Sequence, residues 1–206
     1  MANFITFIRL ILLLVLVLSI YWADPSWQRV NMPLLFLIMV LDALDGWVAR
    51  RFNETSLFGA VFDIAVDRIV ETVLWVVLAH IGLVPVWAAI VFIVRGNIVD
   101  TIRNSMAASQ GVVPFGMMHS PLGRLLVSSH FSRGFYNTVK IATFGWVLMI
   151  QPMPTVYPDY WADISPISGV ITMTLVWMSV VLCLVRGAPV VIEFLRAPDT
   201  NTKEPG

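Results

Sequence analysis

The chain is poor in charge, in histidine and in cysteine. Only 13% of its 206 residues are Asp, Glu, Lys or Arg, against about 25% in a soluble domain. That scarcity, with 58% hydrophobic residues and a mean hydropathy of +0.83, excludes a soluble globular enzyme and a disordered chain. Thirteen basic residues meet thirteen acidic ones, so no bulk positive field draws in a nucleic acid. One thiol cannot close an intrachain disulfide, and Cys183 stands in an apolar run as a small packing residue.

What is present is a succession of long apolar runs. At roughly 20 residues per membrane span, a chain of this length holds about six and little else. The runs are 4–21, 32–51, 57–83, 85–107, 135–150 and 167–185. The first is not a signal peptide: Tyr21-Trp-Ala-Asp-Pro25 is a poor cleavage site and more spans follow. The expected fold is therefore an all-α integral membrane protein, a six-helix transmembrane bundle forming one domain over 1–196. The Pro-, Asp- and Thr-rich tail, 197–206, is expected to be disordered. Arg50, Arg51, Arg103, Arg124, Arg133, Arg196 and Lys203 fall in connections on one side. The opposite side holds Arg29 beside several acids, with Trp22, Trp27, Tyr157, Tyr160 and Trp161 as an aromatic belt. The positive-inside rule then places both termini in the cytoplasm.

Charge inside the spans carries the chemistry, because ionised groups at membrane depth are costly. Asp42 and Asp45 lie in the second span, Asp63 and Asp67 in the third, each pair on one helical face. Counted from the turn between the two spans, Asp42 and Asp67 lie about 12 Å deep and Asp45 and Asp63 about 6–7 Å deep at ~1.5 Å rise per residue. Two antiparallel helices can thus present four carboxylates at matched depths, facing one another. Such a set needs cations to stay ionised. With no His or Cys nearby, the donors suit Mg²⁺, Mn²⁺ or Ca²⁺, and four shared carboxylates suffice for two ions, the usual clamp for phosphoryl displacement. Gly46 clears space beside Asp45, Arg50 can neutralise a diphosphate, and Thr55, Ser56 and Gly59 sit at the start of the third span, where helix amides accept anionic groups.

The stretch reads Asp42-x2-Asp45-Gly46-x2-Ala49-Arg50-x8-Gly59-x3-Asp63-x3-Asp67, eight fixed residues over 26 positions. It resembles, position for position, the signature of the CDP-alcohol phosphotransferases. The Asn3-x2-Thr6-x2-Arg9 opening is similar to the start of bacterial phosphatidylglycerophosphate synthases. The resemblance implies a cytoplasm-facing polar cavity in an inner-membrane homodimer that displaces CMP from CDP-diacylglycerol with an acceptor alcohol. It implies that Asp42, Asp45, Asp63 and Asp67 hold two divalent cations, Mg²⁺ or Mn²⁺, and that Asp67 is the general base on the acceptor hydroxyl. It implies that Thr6, Gly46, Arg50, Ser56 and Gly59 bind the CDP-lipid.

Arg95 and Arg103, eight apart on one face of the fourth span, and Lys140 are the candidate acceptor-phosphate residues. Arg95-x4-Asp100-x2-Arg103 is similar to a segment of phosphatidylglycerophosphate synthases, so sn-glycerol 3-phosphate is the first acceptor. The chain carries Gly96 where those enzymes carry an acid, and Gly134-Phe-Tyr-Asn-Thr138-Val-Lys140 where they carry Gly-Lys-x-Lys-Thr. Inositol phosphate, serine and phosphatidylglycerol stay open as acceptors. A cation or proton transporter is the alternative from another class. It is disfavoured because the acids lie near one side and no broken-helix repeat is visible.

Overall fold

A computed structural model of the chain describes residues 2–52, 57–110 and 129–196. It is all-helical, with six long helices among the described residues: α1 (Ala2–Trp22), α3 (Asn31–Phe52), α4 (Leu57–His80), α5 (Val86–Gln110), α6 (His130–Ile150) and α8 (Pro158–Arg196). Two single-turn helices, α2 (Pro25–Gln28) and α7 (Met153–Val156), fill the connections at one end. The expected tail, 197–206, lies outside the described residues.

Punctuation in the sequence explains where the helices begin and end. Pro25 opens α2 and Pro33 falls in the first turn of α3, where a missing N–H leaves no gap in the ladder. The α4–α5 turn needs Gly82, whose φ of +76° is costly for any residue with a Cβ. There the Leu83 N–H returns to the Leu78 carbonyl at 3.0 Å, closing the end of α4 before Pro85. The last helix outruns its apolar stretch on both sides, 158–196 against the expected 167–185, and carries Pro166 and Pro189 inside it. Hydropathy marks where an apolar solvent would lie, not where backbone hydrogen bonding stops.

The elements are joined by α1 packing on α3 and α4, α5 on α4 and α8, and α6 on α3 and α8. Trp75 is the largest fully buried side chain among the described residues. It stacks on Phe92 at 4.3 Å and meets Phe144 edge-on at 5.0 Å, locking α4, α5 and α6 together. Outward-facing Leu14, Val76, Ile90, Val170, Trp177 and Val181 leave an apolar exterior, better matched to hydrocarbon than to water. Among the described residues, two helices are by themselves long and apolar enough to cross a membrane, over 4–22 and 158–195.

Candidate functional site

Three of the four signature acids converge. One oxygen each from Asp42, Asp63 and Asp67 lies within 4.8 Å of the others. Three negative charges that close repel by on the order of 3 kcal/mol per pair at an effective dielectric of about 20. Among the described residues, the countercharge is Arg9 of α1. Its Nη1 lies 2.7 Å from Asp42 Oδ1 and 3.0 Å from Asp63 Oδ1, and its Nη2 lies 2.6 Å from Asp67 Oδ1. The two-helix arrangement expected from the sequence is thus a three-helix one, with a guanidinium of α1 bridging α3 and α4. Asp45 takes a different partner: it is buried and accepts a hydrogen bond from the Thr6 hydroxyl. Thr6, expected beside the nucleotide, is itself buried against this acid.

The donor chemistry of the cluster fits a hard divalent cation. It offers carboxylate oxygens and no sulfur or ring nitrogen, and 4.8 Å is about twice a hard cation–oxygen distance of 2.1–2.6 Å. Gly46 and Gly59 are half-buried on α3 and in the first turn of α4. The Arg50 side chain and Ser56 lie outside the described residues.

The cluster opens on a cavity of about 380 Å³, lined at one end by Arg9, Asp42 and Asp67 and at the other by Arg68, Glu71, Arg95, Tyr136, Lys140 and Arg186. The far end is a second network. Glu71 accepts from Lys140 Nζ at 2.9 Å and from the Tyr136 hydroxyl at 3.2 Å, and pairs with Arg68 at 2.9 Å. Arg68 also grips Asp100 with two nitrogens, at 2.6 and 2.8 Å. The pairing of Asp100 is therefore with α4, although Arg103 stands three residues away; the Arg103 side chain lies outside the described ones. Arg186 of α8 donates to Ser132 Oγ at 2.8 Å and lies over the Tyr136 ring. Arg95 faces the cavity with its buried Nε without a hydrogen-bond partner among the described residues.

The profile of one protein family, described as CDP-alcohol phosphatidyltransferase, matches residues 1–185. The chain belongs to that family. Its sequence is 52% identical over 48 residues to the CDP-diacylglycerol–inositol 3-phosphatidyltransferase 1 of Arabidopsis thaliana, 23% of this chain and 21% of that protein. It is 30% identical over 107 residues to the CDP-diacylglycerol–glycerol-3-phosphate 3-phosphatidyltransferase of Haemophilus influenzae, 50% of this chain and 57% of the relative. With the protein of the same name from Rickettsia felis the identity is 24% over 114 residues, 55% of this chain and 63% of the relative. The chain thus spans between about a fifth and three-fifths of the length of these relatives.

Sequence reasoning located the phosphatidyltransferase signature and, with Arg95 and Lys140, two cations of the cavity wall. It missed the ion pairs of Arg9, and it missed Arg186 and Tyr136 altogether. For the two arginines a signal exists: Arg9 interrupts the first apolar run, and Arg186 ends the last one.

Proposed function

We propose that this protein is a multi-pass inner-membrane enzyme that moves the phosphatidyl group of CDP-diacylglycerol onto an acceptor alcohol and releases CMP. Six spans are supported by the six apolar runs, both termini in the cytoplasm by the side that carries the Lys and Arg residues, and the cytoplasm-facing site and the homodimer by the family resemblance. The observation that carries the reading is the convergence of Asp42, Asp63 and Asp67 beside a cavity that Asp42 and Asp67 line together with Arg68, Arg95, Lys140 and Arg186.

Asp42, Asp45, Asp63 and Asp67 would hold two divalent ions, Mg²⁺ or Mn²⁺, which when bound neutralise the diphosphate and the departing CMP. Gly46, Arg50, Ser56 and Gly59 stand at the signature positions that would hold the CDP moiety, and Thr6, buried against Asp45, would act through that acid. Asp67 is half-exposed on the cavity, where it can take the proton of the acceptor hydroxyl. The acceptor oxygen then bonds to the phosphatidyl phosphorus while that phosphorus releases CMP, and the proton rests on Asp67.

A phosphorylated acceptor is supported by charge. Beyond the acid cluster the wall carries Arg68, Arg95, Lys140 and Arg186 against Glu71 and the Asp100 that Arg68 holds. An excess of cations suits a phosphate dianion and gives no reason to choose serine. sn-Glycerol 3-phosphate is the first acceptor. An inositol-type acceptor is the second reading, favoured by the local identity to the plant inositol phosphatidyltransferase.

The test is an acceptor screen on the purified chain in detergent with CDP-diacylglycerol and Mg²⁺, following CMP. Release is expected with glycerol 3-phosphate, should stop in EDTA, and should return with Mg²⁺ or Mn²⁺. Release only with inositol phosphate, serine or phosphatidylglycerol would keep the chemistry and change the acceptor. Full turnover in chelator would remove the metal reading.

A further inference from the structure

Arg9 differs in exposure from the acids it touches. Its side chain is 1% exposed, whereas those of Asp42, Asp63 and Asp67 are 39%, 41% and 52% exposed. The guanidinium therefore sits in the cavity wall, covered by the carboxylates and not open to the volume in front of them. All three contacts use Oδ1, so each carboxylate keeps a second oxygen for another cation. The planar fork is what makes this possible: Nη1 serves two acids and Nη2 the third, a span that a single ammonium does not cover. The buried Nε is left without a hydrogen-bond partner among the described residues, so the acids set the position of the head group. One turn away on the same face of α1, the Thr6 hydroxyl holds the fourth acid, Asp45.

We infer that α1 supplies a permanent backing to the acid cluster, in which Arg9 and Thr6 are positioning residues for divalent-cation binding and Arg9 is not displaced when cations arrive. The inference rests on the reading that these acids hold divalent ions. Arg9 relieves the repulsion among three carboxylates and sets their spacing before any ion binds.

The position of Arg9 has an opposite reading, in which the guanidinium occupies the cation's place and competes with it. Mn²⁺ alone separates the two. Its binding to the purified full-length chain is read from the electron paramagnetic resonance of free Mn²⁺, without substrate. The proteins are the wild type, Arg9→Lys, Thr6→Val and Asp63→Asn. Arg9→Lys keeps the charge and loses the fork, and should bind Mn²⁺ about tenfold more weakly, with its melting temperature in EDTA close to wild type. Thr6→Val, nearly unchanged in shape, should lose roughly two- to fivefold, and carries the test if Arg9→Lys does not fold. Binding by either variant that equals or exceeds wild type, while Asp63→Asn is weakened, would overturn the positioning role and leave the metal reading standing. A wild type that takes up no more Mn²⁺ than Asp63→Asn would overturn both.

Discussion

The two ends of the cavity solve the same problem with opposite signs. At one end, among the described residues, four acids are set against one buried arginine, and the balance stays negative. At the other, Arg68 and Lys140 pair with Glu71 and Arg68 holds Asp100, while Arg95 and Arg186 line the same cavity, so the balance among the described residues stays positive. Buried charges left wholly unpaired would cost several kcal/mol each, so both ends are laced with ion pairs. Neither end is closed by them. The surplus at the acid end suits divalent cations and the diphosphate they accompany, and the surplus at the basic end suits an anionic acceptor. Under the proposed function, one bundle would keep two anionic substrates apart until their reacting atoms meet near Asp67.

The comparison breaks most sharply at Asp67. Asp67→Asn should lower turnover by about 10²–10⁴-fold, the usual contribution of a general base, while CDP-diacylglycerol still binds. Substantial residual CMP release would assign the base elsewhere. A smaller effect belongs to the basic end. Arg186→Gln should raise the KM for a phosphorylated acceptor roughly ten- to a hundredfold, the loss of one charged hydrogen bond, with the KM for CDP-diacylglycerol little changed. Equal changes in both constants would mean that the two ends are not separate subsites. The smallest effect concerns the packing behind Arg95. A Cβ on Gly187 would meet Arg95 Nε at 2.9 Å and Cγ at 3.1 Å, so the space left by that glycine is where the arginine stem lies. Gly187→Ala should raise the acceptor KM about three- to tenfold, a partial loss of a charged contact. No change in that constant would show that Arg95 does not touch the acceptor.

The outline of the bundle was legible because apolar runs and their Pro and Gly punctuation are local properties. The expected 4–21, 32–51, 57–83 and 85–107 fall within a few residues of α1, α3, α4 and α5. The last helix was read too short. Asp159, Asp163, Arg186 and Glu193 lower the hydropathy at its ends without interrupting its hydrogen bonding. Asp42, Asp63 and Asp67 were legible as a cluster because the helical repeat puts each pair on one face and only four residues separate the two helices. Their partners were not. Arg9 is 33 residues from Asp42 and 58 from Asp67, and nothing in the α1 run says which helices its one charged residue will face.

Residue order alone settled that the chain forms long apolar helices, that acids interrupt two of them in register, and that the signature places it among the CDP-alcohol phosphatidyltransferases. Spacing within a helix follows from a fixed 3.6-residue repeat, so such patterns need no knowledge of the fold. Packing decided the rest: that α1 lies against both acid-bearing helices, that Asp45 turns to Thr6, that Glu71 gathers Arg68, Tyr136 and Lys140, and that Gly187 makes room for Arg95. Those contacts join residues distant in sequence. Their geometry depends on how helices cross and rotate against one another, and that is set by side-chain shape across the whole bundle.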